Sequence, residues 1–263
     1  MGRRGLRKRP PRWQYPESVA REYTRALVDR VKALEISVMR QLVSRIPGWS
    51  AEQERNTRID DWIDDLDALM AALRIDADRV FNEPEQLALR YGEMTAAFNF
   101  RQFARMVNSV FGVNPIAYEP WLAPQMKIFV SENTALIKSI PQRFLDDVEG
   151  TIQRGIAAGT PTREITKELA KRFNVAENRA ALIAEDQIGK FNGNLSEARQ
   201  TNMGVTDYIW RTSEDEKVRH THRERNGKRF SWKKPPPDGH PGEPVRCRCY
   251  AEPVLNDLLA ETE

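Results

Sequence analysis

Val19, Tyr23, Leu27, Val31, Leu34, Val38, Leu42 and Ile46 recur every three or four positions, and that period commits the segment to a long helix with one apolar face. A stripe of this kind has to be buried against other helices, so the chain must be built from packed helices. Pro47 and Gly48 mark where the pattern stops.

The same period returns along the next part of the chain. A segment starting near Thr57 carries Trp62, Ile63, Leu66, Leu69, Met70 and Leu73. The acidic block Glu52, Glu54, Asp60, Asp61, Asp64, Asp65 and Asp67 surrounds its first turns, where the helix macrodipole favours carboxylates, and so reads as a helix start and not as a metal site. Residues 83 to 111 continue as helix through Leu87, Tyr91, Met94, Phe98, Phe103, Met106 and Val110, and break around Gly112, Asn114 and Pro115.

Pro120 and Pro124 bracket Trp121 and open a stretch from Met126 to Ile140. Pro141 then begins a separate helix through Phe144, Leu145, Val148, Ile152 and Ile156, since proline suits a first helical turn. Thr160-Pro161 repeats that start signal for a helix through Ile165, Leu169 and Phe173, which Asn174 closes. The next helix, from Glu177 to about Gln200, sets Ala181, Ile183, Ala184, Ile188, Phe191 and Leu195 on a face. Gly189 and Gly193, four apart, permit close packing there, and no glycine-rich phosphate loop is present.

From Thr206 the texture changes. Tyr208-Ile-Trp-Arg and Lys228-Arg-Phe-Ser-Trp are short aromatic, β-prone runs separated by the turn signal Asn226-Gly227, and proline and glycine dominate Pro235 to Pro244. The fold expected is mainly α: an elongated helical body with a small C-terminal α+β, loop-rich module. Its parts are a basic N-terminal arm (1–15), a helical domain (16–120), a second helical region (121–204) and a strand and loop module (205–263).

The 263 residues are 40% hydrophobic, enough for a folded, soluble protein with a core. A net charge of +3 hides an uneven distribution, because Arg3, Arg4, Arg7, Lys8, Arg9 and Arg12 crowd the first dozen positions. Such an arm binds nucleic acid or an acidic protein surface through counterion release, or stands as a solvated tail. No apolar stretch follows it as a secretory signal requires, and no run reaches the ~18 apolar residues of a transmembrane helix. Two cysteines one residue apart exclude a disulfide framework and suit synthesis in a reducing cytoplasm.

All 3 histidines and both of the 2 cysteines fall between Trp210 and Pro253. Three readings compete for them. His222, His240, Cys247 and Cys249 form an N2S2 set for structural zinc in a module short of apolar mass, although the Cys-X-Cys gap is tighter than in most zinc knuckles. The His220-X-His222 pair, placed on a strand, points both rings to one face. Alternatively His222 and the cysteines form a packed, hydrogen-bonded cluster with the thiols acting as small buried hydrophobes. The catalytic reading makes Cys247 or Cys249 a nucleophile with His222 or His240 as base, or takes His222, Asn226 and His240 as a divalent-metal nuclease set beside the basic residues Arg219, Arg223, Arg225, Lys228 and Arg229. Asp215 and Arg219, four apart, are placed for a local ion pair.

The order of residues says more than their chemistry. Trp210-X-Thr212, Asp215-X-X-Val218-Arg219-X-X-His222, Asn226-Gly227-Lys228-X-Phe230, Pro236, Pro241-Gly242 and Cys247-Arg248-Cys249 together resemble the Mu F-like family of phage minor head, or head morphogenesis, proteins. The helix before them agrees, with Arg179-Ala-Ala-Leu-Ile-Ala-Glu-Asp-Gln, Lys190, Asn192 and Arg199, so that the resemblance covers residues 130 to 254. His220, beside the motif's His222, departs from the pattern.

The resemblance implies a non-enzymatic structural protein, made in the host cytoplasm and incorporated into the virion head near the portal vertex. The portal protein is its implied partner, with scaffold, major capsid protein and packaged DNA as further ones, no membrane in the assembled head, and a part in DNA packaging or ejection. Residues 1–120 carry no assignable pattern.

Overall fold

The computed structural model describes residues 12–55, 59–115 and 118–255. Within them the chain runs α1 (Glu17–Leu42), α2 (Ile46–Arg55), α3 (Ile59–Val80), α4 (Pro84–Phe111), α5 (Leu122–Ala157), α6 (Thr162–Asn202), β1 (Asp207–Arg211), α7 (His220–Arg225), β2 (Arg229–Ser231) and β3 (Tyr250–Pro253). The protein is mainly α with a small C-terminal α+β module. Among the described residues no helix is long and apolar enough to cross a membrane.

Two compact units share these elements. One comprises Glu22–Leu87 and Ser131–Ala184. Here the stripe Tyr23, Leu27, Val31, Leu34, Val38, Leu42 and Ile46 is buried, as are Leu66, Leu69, Met70 and Leu73 of α3 and Ile137, Ile140, Phe144, Leu145, Val148 and Ile152 of α5. Polar side chains tie the helices at the margins. Ser37 Oγ and Gln41 Nε2 donate to Asp76 at 2.9 and 3.0 Å, and Arg74 bridges to Asp146 and Glu149, each at 3.0 Å. Asp65, one of the acidic block, accepts from the Trp49 indole at 2.9 Å and from Arg45 at 2.7 Å, so at that position the block joins α2 to α3.

Three boundaries differ from the sequence expectation. The first helix ends at Leu42, and Pro47 and Gly48 lie in the opening turns of α2 instead of ending α1. Proline costs little there because its missing N–H has no partner to lose. Pro141 does not start a helix but sits inside α5, and Asn174 does not end one but sits inside α6. In both places the apolar stripe runs unbroken through the weak residue: Ile137, Ile140, Phe144 and Leu145 around Pro141, and Leu169, Phe173, Ala176 and Ala180 around Asn174 are all buried. Burying each Leu, Ile or Phe contributes about 1.5–3 kcal/mol. Proline inside a helix costs about 3 kcal/mol and Asn well under 1 kcal/mol, so packing decides both cases.

The other unit comprises Met1–Arg21, Ala88–Val130 and Glu185–Glu263. Its sheet has the order β2-β1-β3 with both pairings antiparallel. Trp13 is buried among Phe103, Met106, Val107, Val205 and Leu255, and Gln14 and Gln102 exchange hydrogen bonds at 2.6 and 2.9 Å, which fixes the segment entering α1. Of the basic arm, Arg3, Arg4, Arg7, Lys8 and Arg9 lie outside the described residues, whereas Arg12 pairs with Glu214 at 2.8 Å.

A buried polar network holds α4, α6 and the connection after α4 together. The Arg199 guanidinium is satisfied at every donor group: Nε and Nη2 grip both carboxylate oxygens of Glu119 at 2.7 Å, and Nη1 reaches Asn99 Oδ1 at 2.5 Å. Asn99 Nδ2 in turn donates to Asn192 and to Ser196 Oγ. Removing one member of such a network strands the others in a dry environment. Arg199→Ala is therefore expected to destabilise the protein by about 3 kcal/mol, measured by urea unfolding, because it leaves the largely buried Glu119 carboxylate and Asn99 without their partner.

Candidate metal centre

Central strand β1 sets the floor of the site. Its alternation buries Tyr208 and Trp210 on one face and leaves Asp207, Ile209 and Arg211 half-exposed on the other. Phe230 stands opposite Tyr208, and Ala251 opposite Trp210. This aromatic face joins Trp232, Cys247 and Cys249 in one apolar cluster.

Two elements bring chemistry to it. His220 and His222 lie on the helix α7 and not on a strand, which corrects the expectation that both rings share a face. Two residues apart on a helix means opposite sides. His220 accordingly points to solvent near Glu224, whereas the His222 ring stands edge-on to Trp210 with centroids 5.1 Å apart.

The second element is the loop 239–249. Its Arg246 adopts φ 55°, a left-handed conformation uncommon for a residue with a side chain. Asp186 on α6 stabilises it by accepting the Arg246 amide at 3.0 Å, and Glu185 accepts its Nε at 2.7 Å. This backbone twist immediately precedes Cys247 and turns the Cys-X-Cys run inward. Nothing in the order of residues announces a strained arginine, so sequence reasoning had no signal for it.

His222 Nδ1 lies 3.6 Å from Cys247 Sγ and 3.4 Å from Cys249 Sγ. His222, Cys247 and Cys249 form the one group of potential metal donors among the described residues, all within 4.8 Å of one another, and they are 1%, 3% and 8% exposed. His240, the fourth residue expected in this set, is placed elsewhere. Its Nδ1 meets Tyr208 Oη at 2.9 Å, and its ring packs on Trp232. Tyr208 and Trp210 are two apart on one strand, so the two histidines stand on neighbouring aromatic positions ~7 Å apart along the strand.

The three donors act on one another's protons. The Cys249 thiol, opposed by burial but helped by His222 and by the amides of Gly242 and Cys249, lowers the Cys247 pKa to about 5. Cys249 is pushed up, by its bond to Cys247 first and then by burial. His222 is raised, mainly by Cys247, with burial opposing and Asp238 reinforcing. Trp210 Nε1 is buried without a partner at regular hydrogen-bond geometry, yet its N–H acts on the Cys249 sulfur and favours a thiolate there. One imidazole and two sulfurs, with a spare donor aimed at the second sulfur, fit a borderline-soft divalent cation such as zinc.

Residues 146–252 match the profile of the family described as Phage Mu protein F like protein. Residues 146–252 are thus a Mu F-like region. An uncharacterized protein of Haemophilus influenzae is similar, 30% identical over 180 residues that make up 67% of this chain and 40% of the relative. The chain thus spans about two fifths of the length of the curated relative it matches. No solved structure matches.

Within the Mu F-like region, the residues that carried the resemblance hold the module on α6. Asn192 and Arg199 belong to the buried network, and Lys190 pairs with Asp186 at 2.7 Å. Gln200 reads the sheet directly, accepting from the Trp232 indole at 3.2 Å and donating to the Ala251 carbonyl at 2.9 Å. Asp215 pairs with Arg248 at 2.7 Å and Arg219 donates to the Val245 carbonyl at 2.6 Å, so the expected Asp215–Arg219 pair gives way to two bonds that hold the cysteine loop.

Gly189 and Gly193 are the seat of that loop. A Cβ on Gly193 would come within 2.7 Å of the Pro241 carbonyl oxygen, and one on Gly189 within 3.1 Å of the Cys247 carbonyl oxygen. Backbone cannot retreat as a flexible side chain can, and overpacking costs about 1–3 kcal/mol. The better helix propensity of alanine returns about 1 kcal/mol. Gly193→Ala is expected to lower stability measurably in urea unfolding, by about 1–2 kcal/mol net, and Gly189→Ala to be close to neutral.

Proposed function

We propose that this protein is a non-enzymatic minor head protein that joins the portal during phage head assembly. The observation that carries the reading is the burial of His222, Cys247 and Cys249 inside a Mu F-like region. A nucleophile or a hydrolytic metal has to reach a scissile bond, and donors this deeply covered instead hold a fold together.

Four of the five basic residues that a nuclease would turn toward DNA are engaged within the module. Arg225 pairs with Asp238, Arg229 with Asp207, and Arg219 and Arg223 donate to the carbonyls of Val245 and Glu216. Asn226 receives the Thr212 amide through its Oδ1 at 3.2 Å. His222, Asn226 and His240 each have a structural partner.

The long amphipathic helices supply docking faces for the portal, and the basic arm of Arg3, Arg4, Arg7, Lys8, Arg9 and Arg12 engages packaged DNA or acidic portal, scaffold or capsid surfaces. The protein is then a virion component at the portal vertex with a part in packaging or ejection. Zinc, bound at the His222–Cys247–Cys249 group, acts as a staple between α7 and the cysteine loop.

Co-expressed with its cognate portal, the protein is expected to co-elute with it in size exclusion; separate elution at every salt concentration overturns portal docking. Plasmid incubated with the protein and Mg²⁺, Mn²⁺ or Zn²⁺ is expected to stay intact, and cleavage lost in His222→Ala would establish an enzyme instead. Purified protein is expected to carry about one zinc per chain by elemental analysis, and Cys247→Ser to lose it and to loosen the module by several kcal/mol.

A further inference from the structure

We infer that Asp238 is the positioning residue of a soft-metal site whose protein ligands are His222, through Nδ1, and the sulfurs of Cys247 and Cys249. This rests on the zinc reading above and adds which atoms bind and what aims them. His222 turns Nδ1 toward both sulfurs and Nε2 toward Asp238 Oδ2, at 3.2 Å. An imidazole that donates from Nε2–H to a carboxylate has its lone pair on Nδ1, and that is the tautomer a metal beside the sulfurs requires.

Asp238 is itself held. Its Oδ1 accepts from Arg225, whose guanidinium lies 5.1 Å from the centre of the Trp210 ring, the same ring that walls His222. The carboxylate, fixed by Arg225 on one oxygen, orients the ring through the other and raises its basicity as a ligand. Its side chain is 38% exposed while that of His222 is 2% exposed, so the charge sits at the wet outer edge of a dry donor group. The chain thereby orders a carboxylate, an imidazole and two sulfurs from solvent inward. His240 stands outside this line, on Tyr208.

The test is a Co²⁺ titration of the full chain after removal of bound metal, reading the sulfur-to-cobalt charge-transfer bands, with Zn²⁺ competition for affinity. Wild-type protein is expected to give a band that Cys249→Ser weakens. Asp238→Asn keeps the shape of the residue and removes its charge, and is expected to keep the band while weakening Zn²⁺ affinity about 10–100-fold, with circular dichroism unchanged. His240→Gln is expected to bind as wild type does. Undiminished affinity in Asp238→Asn overturns the role of Asp238, and loss of the band in His240→Gln overturns the ligand set.

A measurement on the unmutated protein guards against a variant that fails to fold. In Zn²⁺-loaded protein, long-range ¹H–¹⁵N spectra are expected to show His222 protonated at Nε2 and metal-bound at Nδ1; the reverse overturns the inference while leaving the zinc reading intact. Wild-type protein that yields no band at any Co²⁺ concentration removes the zinc reading and this inference together.

Discussion

Because Gly193 has no Cβ, the Pro241 carbonyl and Gly242 come against the backbone of α6, and a Cβ on Gly242, at φ 103°, would fall 2.9 Å from the Gly189 carbonyl oxygen. This backbone-to-backbone contact is the constraint on which the C-terminal module depends. It brings the loop close enough for Asp186 to hold the Arg246 amide, and the twist at Arg246 delivers Cys247 and Cys249 to His222. A bulkier residue at Gly193 would lift the loop and disperse the donor group without touching any of its members. Here packing is upstream of chemistry.

The group so assembled is uncomfortable on its own. Burial opposes the Cys247 thiolate, and what lowers its pKa to about 5 is hydrogen bonding, first from the Cys249 thiol and then from His222 and two backbone amides. The same thiolate raises His222 and pushes Cys249 toward its protonated form. The two sulfurs thus resist carrying charge together, and each leans on the other's proton. A divalent ion in place of those protons would satisfy both sulfurs at once, so metal and proton compete for the same lone pairs.

How far the sequence reaches follows from what each residue does. The α1 stripe is legible because every third or fourth side chain buries, although its last member, Ile46, already opens α2. Pro141 and Asn174 mislead because local propensity argues for a break where continuous burial on both sides outweighs it. The donors His222, Cys247 and Cys249 are legible from their scarcity and spacing. The surroundings are not: a strand was expected at His220 where a short helix separates the two rings, and Asp238, Arg246 and Gln200 act through contacts distant in sequence that no local period encodes.

The residue order that resembles the Mu F-like pattern now has a physical meaning, position by position. Trp210 walls His222, Thr212 donates its amide to Asn226, Asp215 and Arg219 anchor the cysteine loop, and Gly227 takes the positive φ of the turn that leads into β2. Each of these roles is a contact within the module, made by a buried or internally paired group. Much of the pattern is thus spent on holding the module together, Asp215 and Arg219 on the cysteine loop and Trp210 on His222, which is why the order of residues is more telling than the chemistry of any one of them.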